Sequence, residues 1–279
     1  MKNITVATEK NVGYYRILVE SCKRNNIDLI VLGLGQEWKG FTMRFDLWMN
    51  YLNTLKDNEI VMINDAYDVV ILQNSNTILN KFLKFNKKIV LSGENELQHY
   101  FLPKCFNHII NMGNIIGYVY YIKKFINIFY KYQHLWNKFN NDDMMLINYI
   151  CQYEKDFFYN YCTIDFKEDI FFLTNGFPPF YNMKELIMEN NKLKNTRYNN
   201  YPSVLHLINT DANKYLNYIG YDTNDINITS SLFSFEPYKI NQFFFLLINN
   251  PILLSFYFII IIFIIYFSYK LFLIIKKYK

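Results

Sequence analysis

EIVMINDAYD, residues 59–68, is a short apolar run that ends abruptly on two carboxylates, Asp65 and Asp68. Five or six apolar residues bounded by polar ones suit a buried strand, and in an open α/β sheet ligands gather beyond the carboxyl ends of such strands. Two aspartates three residues apart at that position offer hard oxygen donors to one divalent cation such as Mn2+ or Mg2+. The same D-x-x-D string also fits an acidic turn that caps the following helix. Spacing alone leaves both readings open.

Outward from this stretch, short apolar runs alternate with amphipathic ones. Strands are expected at 4–7, 28–32, 88–92 (KIVLS), 163–166, 170–173 and 204–207, and helices at 14–23, 41–55, 77–85, 121–136 and 142–153. That alternation predicts an α/β fold with a Rossmann-like, mostly parallel sheet. NNKLKNTRYNN, residues 190–200, is polar enough to be an exposed loop. Asn141-Asp142-Asp143 opens a predicted helix, so Asp142 suits an N-cap and Asp143 a first-turn acid, although a carboxylate pair there also suits acceptor activation or sugar positioning. His206, in SVLHLI, fits either a satisfied core histidine or a metal ligand.

The 279 residues are 52% hydrophobic and 19% charged, which excludes a disordered or collagenous chain. The formal charge of +5 is concentrated at one end. Every acid lies at or before Glu236; without Lys270, Lys276, Lys277 and Lys279 the chain holds 25 basic against 24 acidic residues. A nearly neutral body without a basic stripe argues against a nucleic-acid partner. Four separated cysteines with no C-x-x-C pair suggest neither a zinc ribbon nor a disulfide framework, and are expected as buried or free thiols.

Residues 252–269 carry no charge and the apolar run continues past Lys270 to Ile275 before KKYK. About 20 apolar residues span a bilayer, so the expected organisation is a globular domain over 1–238, a juxtamembrane linker over 239–251, a transmembrane helix over 252–275 and a basic tail over 276–279. The expected location is a membrane, of endoplasmic reticulum, Golgi or viral type, held by one C-terminal pass. MKNITVATEK lacks the apolar core of an export signal, which favours a cytosolic domain on a tail anchor, whereas the lysine-rich end favours a cytosolic tail. The side occupied by the domain stays open on sequence.

Six stretches carry a family resemblance in order along 5–220: TVATEKNVGYYRILVESCKRNNIDLIVLGLGQEW (5–38), VMINDAYDVV (61–70), KIVLSGENE (88–96), NMGNIIGYVYYIKKFI (111–126), DDMMLINYI (142–150) and VLHLINTDANKYLNYIG (204–220). The chain resembles the N-terminal glycosyltransferase domain of the procollagen lysyl hydroxylases and its standalone viral homologues. The resemblance implies a GT-A type enzyme that moves a hexose, glucose or galactose, from a UDP-sugar to a hydroxyl on a protein or glycan acceptor with the help of Mn2+. By residue it implies Asp65, Asp68 and His206 as metal ligands, Tyr67 stacked on uracil, Thr8 and Glu9 lining the nucleotide site, Asn209 and Lys214 near the phosphates, and Asp142 and Asp143 near the sugar and acceptor. The family reads H-G-N-G where this chain reads His206-Leu207-Ile208-Asn209, and the Gly-rich stretch before the second helix is reduced to Gly40. Bulk next to the phosphates motivates the rival reading, an inactive membrane-anchored interaction protein on a transferase scaffold. The chain carries no counterpart of the iron- and 2-oxoglutarate-dependent domain, so lysyl hydroxylation is not expected of it.

Overall fold

The computed structural model describes residues 1–94, 104–139, 141–174, 185–208, 213–224 and 226, with Ser255, Phe263, Tyr266 and Phe267. The chain divides into two compact units, Met1–Ser234 and Phe235–Lys279. Among the described residues no helix is long and apolar enough to cross a membrane. The expected span at 252–275 lies, those four residues apart, outside the described residues.

The first unit runs β1 (Lys2–Val6), α1 (Tyr15–Arg24), β2 (Asp28–Leu32), α2 (Phe41–Leu52), β3 (Ile60–Asp65), β4 (Val69–Ile71), α3 (Ser75–Lys84), β5 (Ile89–Glu94), β6 (Ile109–Tyr118) and α4 (Val119–Lys131). It continues with α5 (Asp143–Tyr153), α6 (Lys155–Tyr161), β7 (Cys162–Asp165), β8 (Phe171–Leu173), β9 (Leu186–Glu189), β10 (Lys192–Asn195), β11 (Val204–His206) and α7 (Asn213–Tyr218). Six strands form the main sheet in the order β2-β1-β3-β6-β5-β7. Neighbours are parallel except around β6, which runs antiparallel to both β3 and β5. The architecture is therefore mixed α/β with a mostly parallel centre, as the alternation of apolar runs predicts. A small sheet, β4-β11-β8, brings the chain after β3 against the histidine strand.

Helix positions follow from one-sided apolar spacing. On α1, Tyr15, Ile17, Leu18, Ser21 and Cys22 are buried, three or four residues apart on one face, and Lys23 and Arg24 sit in the last turn, where they complement the helix dipole. Leu18 and Cys22 pack with Met62, Val69, Ile78, Phe82, Val90 and Phe171 beneath the sheets. The start of α1 faces a second cluster, in which Tyr14 and Ile17 meet Val70, Phe172, Leu205, Leu207 and Leu216.

Two expectations are corrected, and one strand, β6, stands where none was expected. The strand β6 has no period-2 signal because nine of its ten residues are buried, and Gly113 and Gly117 interrupt its apolar run. The polar stretch 190–200 is not simply a loop: Asn190 and Asn191, at φ 51° and 59°, turn a hairpin of β9 with β10, and β10 lies within the stretch, the left-handed pair being what a two-residue hairpin turn requires. Cys105 and Cys151 are not free thiols: they form a disulfide across 46 positions, while Cys22 and Cys162 remain free and buried. Sequence spacing could not reveal that pairing because it joins the segment before β6 to α5, which are brought together only by the sheet.

Candidate functional site

Three strand ends converge. β3 delivers Asp65, the turn to β4 delivers Asp68, and β11 ends on His206. His206 Nε2 lies 3.2 Å from Asp68 Oδ2 and 3.7 Å from Asp65 Oδ2, and one donor atom from each of the three residues lies within 4.8 Å of the others. Donors on adjacent corners around a cation at ~2.1 Å are about 3 Å apart, so two carboxylates and an imidazole so spaced fit a small divalent ion. Both aspartate side chains are about one-third exposed, whereas His206 is 3% exposed and forms the floor.

The DAYD turn is pinned on three sides. Tyr67 O accepts from Tyr14 N, Asp68 O accepts from Leu207 N, each at 2.6 Å, and the Tyr67 hydroxyl accepts from the backbone N–H of Thr8 at 2.9 Å and of Glu9 at 3.0 Å. Thr8, Glu9 and Tyr67, expected together at a nucleotide site, are thus brought together. Gly13 adopts φ +50° where a Cβ would stand 2.4 Å from Tyr67 O, so the chain crosses the DAYD turn as closely as a backbone can.

Asp142 caps α5, its side chain accepting from Met145 N at 2.9 Å. Asp143, buried in the first turn of that helix, pairs with Arg44 Nη2, and Arg44 Nη1 donates to Asp65 Oδ1 at 2.7 Å. One guanidinium therefore ties Asp143 to the candidate metal ligand and leaves Asp65 Oδ2 facing His206. Arg44 rests among Phe41, Phe45 and Trp48, with the Trp48 ring 5.0 Å away. Asn209 lies outside the described residues; Lys214 falls within α7.

Sequence reasoning missed Arg44, Glu94, Asn111, Gly113 and Asn114. Glu94 ends β5, where the strand-end rule would have found it; the others carry no local signal. Between Leu91 and Ser92 the register on β6 jumps from Ile115 to Asn111. Residues 112–114 therefore bulge from the β5 ladder and place Gly113 directly beneath His206 and Asp65. Asn111 secures the bulge, its Oδ1 accepting from Gly113 N at 2.8 Å and its Nδ2 donating to Glu94 Oε2 at 2.7 Å.

Burial opposes a charged His206, but Asp68 and then Asp65 outweigh it and raise the imidazole above its ordinary 6.5. Burial pushes the Glu94 carboxyl up to about 7, against the opposing pull of Asn111 and His206. A carboxyl whose folded pKa exceeds its unfolded value near 4.5 costs stability as pH rises from about 4.5 to about 7. In chelator-treated protein, the loss of unfolding free energy between pH 5 and 8 is expected to be ~3 kcal/mol smaller in Glu94→Gln than in the wild type, read by urea titration. Equal losses would contradict that environment for Glu94.

The model of the PLOD GT domain matches residues 1–230. Procollagen-lysine,2-oxoglutarate 5-dioxygenase 2 of Mus musculus is 29% identical over 241 residues, covering 78% of this chain and 30% of that protein. The multifunctional procollagen lysine hydroxylase and glycosyltransferase of Caenorhabditis elegans is 32% identical over 134 residues, 41% of this chain and 18% of that protein. The chain thus spans less than a third of the length of these relatives. A glycosyltransferase involved in glycosylating the major capsid of PBCV-1 superposes with a TM-score of 0.45 at 13% identity, over 79% of this chain and 98% of that one. The match over 1–230 takes in the strand ends that carry Asp65, Asp68 and His206, and the chain belongs to the PLOD glycosyltransferase-domain family.

Proposed function

We propose that this protein transfers a hexose, glucose or galactose, from a UDP-sugar to an acceptor hydroxyl on a collagen-like protein or a glycan, with Mn2+ or Mg2+ held by Asp65, Asp68 and His206. The observation that carries the reading is the convergence of those three donors from separate strand ends. When bound, the cation supplies Lewis-acid stabilisation of the charge that grows on the departing diphosphate. Asp65, Asp68 and His206 would hold it, while Arg44 Nη1 donates to Asp65 Oδ1 and fixes the rotamer of that side chain. Tyr67, anchored through its hydroxyl to Thr8 and Glu9, offers its ring to the uracil. Asp143 and Asp142 border the sugar and acceptor side, and Asn209 and Lys214 serve the phosphates.

The bulk in His206-Leu207-Ile208-Asn209 does not favour an inactive scaffold. Leu207 is 2% exposed and packs with Tyr14, Val70 and Phe172, and Ile208 packs against the other core cluster. Leu207 adds to the interior and Ile208, half-buried, covers its edge. The full chain, incubated with UDP-glucose or UDP-galactose and with collagen-like peptides or free sugars, is expected to release UDP only with Mn2+ or Mg2+ present. Asp65→Ala is expected to lower that turnover at least ~100-fold, about 2.7 kcal/mol of barrier. Turnover unchanged by the substitution, measured by mass spectrometry of UDP and product, would overturn the assignment.

Residues 252–275 are proposed as a single membrane anchor. The disulfide between Cys105 and Cys151 supports placing the domain on the oxidising face of that membrane, with the lysine-rich end on the cytosolic side.

A further inference from the structure

Behind His206, away from the carboxylates, lies a row of buried amides. Asn64 on β3 and Asn114 on β6 face each other across the ladder. Asn64 Nδ2 donates to Asn114 Oδ1 at 2.6 Å, and Asn114 Nδ2 stands 2.9 Å from His206 Nδ1. The three residues are at most 2% exposed, and Asn64 Oδ1 has no hydrogen-bond partner among the described residues. An amide N–H against Nδ1 makes that nitrogen the acceptor, so the imidazole proton sits on Nε2, toward Asp68 and Asp65. A cation bound at Nε2 requires the opposite tautomer, with the proton on Nδ1 and an acceptor behind it.

We propose that Asn114, backed by Asn64, is a positioning residue that sets the His206 tautomer and turns its amide over when a divalent cation binds. The proposal rests on the divalent site argued above. In the metal-free state Asn114 donates to Nδ1 and leaves Asn64 Oδ1 unpaired. With both amides reversed, Asn114 Oδ1 accepts from Nδ1–H, and Asn114 Nδ2 donates to Asn64 Oδ1, the atom orphaned before. Between the two neutral tautomers the proton on Nε2 goes to solvent and Nδ1 takes one up, so the reversal itself leaves the charge of the ring unchanged. The reversal prepares the ligand and exchanges one orphaned group for another, since Asn64 Nδ2 takes the place in which Asn64 Oδ1 had no partner.

Two readouts on the full chain test this. In chelator-treated, 15N-histidine-labelled protein, long-range proton–nitrogen spectra are expected to show His206 protonated at Nε2 in the wild type and to shift to Nδ1 on adding diamagnetic Zn2+. In Asn114→Leu, Mn2+ affinity is expected to fall about 10- to 100-fold, whereas Asn114→Asp, nearly isosteric and able only to accept, is expected to bind Mn2+ at least as tightly as the wild type. An Nδ1–H imidazole in metal-free wild type overturns the proposal, as does an unchanged Mn2+ affinity in Asn114→Leu. A wild type with the Nε2–H tautomer that binds no cation overturns the metal reading and the coupled reversal, and leaves Asn114 as the residue that fixes the tautomer. If Asn114→Leu does not fold, the spectra of Asn114→Asp decide: a ring that still lacks a proton on Nδ1 overturns the proposal.

Discussion

Gly113→Ala is expected to abolish divalent-metal binding and, with it, sugar transfer. A Cβ added at Gly113 would lie 2.2 Å from His206 Cε1, 2.7 Å from Asp65 Oδ2 and 2.9 Å from His206 Nδ1. His206, 2% exposed, has no room to give, and Asp65 can give only by swinging outward, away from the other donors. His206 is locked through its ring by Asn114 and through its carbonyl by Thr174 N at 2.9 Å, and Asp65 is tied by Arg44. One methyl must therefore push apart the donors that have to converge, beyond the ~1–3 kcal/mol that overpacking costs. Gly117→Ala on the same strand is the control. Its Cβ would stand 2.7 Å from Lys88 O, far along β6 from the site, so it is expected to lower the melting temperature while Mn2+ titration stays that of the wild type. Mn2+ affinity within threefold of wild type in Gly113→Ala would contradict the geometry of the site.

Replacing Cys105 and Cys151 with serine is expected to remove about 4 kcal/mol of stability. The bridge closes a loop with a sequence separation of 46 and a Cα–Cα distance of 5.7 Å, and on the chain-entropy model a loop of that size restricts the unfolded state by about that much. For a domain of this size the loss corresponds to a fall in melting temperature of roughly 10 °C or more. The same shift should follow from reductant in the wild type and be absent in the double-serine variant. Thiol titration of unfolded, unreduced protein should count only Cys22 and Cys162. Four reactive thiols, with no response of the melt to reductant, would refute the bridge and remove the support for an oxidising compartment.

The parts of this molecule that were legible in its sequence share one property: their chemistry is local. EIVMIND announces β3 because its apolar residues are contiguous, Asp142 announces a helix start by capping the N–H of Met145, and the strand-end rule points from β3 straight to Asp65 and Asp68. His206 needed the family resemblance, since one histidine after SVL is equally at home in a core. Arg44, Gly113 and Asn114 could not be read at all. Arg44 looks like an ordinary helical arginine until α5 brings Asp143 to it, across 99 positions. Gly113 and Asn114 acquire meaning only from the β5/β6 register shift, which depends on how two strands pair and not on what either contains. Leu207 was misleading for the same reason: its bulk faces the core because Leu207 N is fixed to Asp68 O.

The convergence of Asp65, Asp68 and His206 on one cation is tested most directly by Mn2+ electron paramagnetic resonance on the full chain, with and without UDP. One tightly bound Mn2+ per chain is expected, its free-ion signal lost on addition of protein and its affinity raised by UDP, with both effects absent in Asp68→Asn. A free-ion signal undiminished by stoichiometric protein and UDP, or one equally diminished by Asp68→Asn, would contradict the assignment of these three residues as the metal centre.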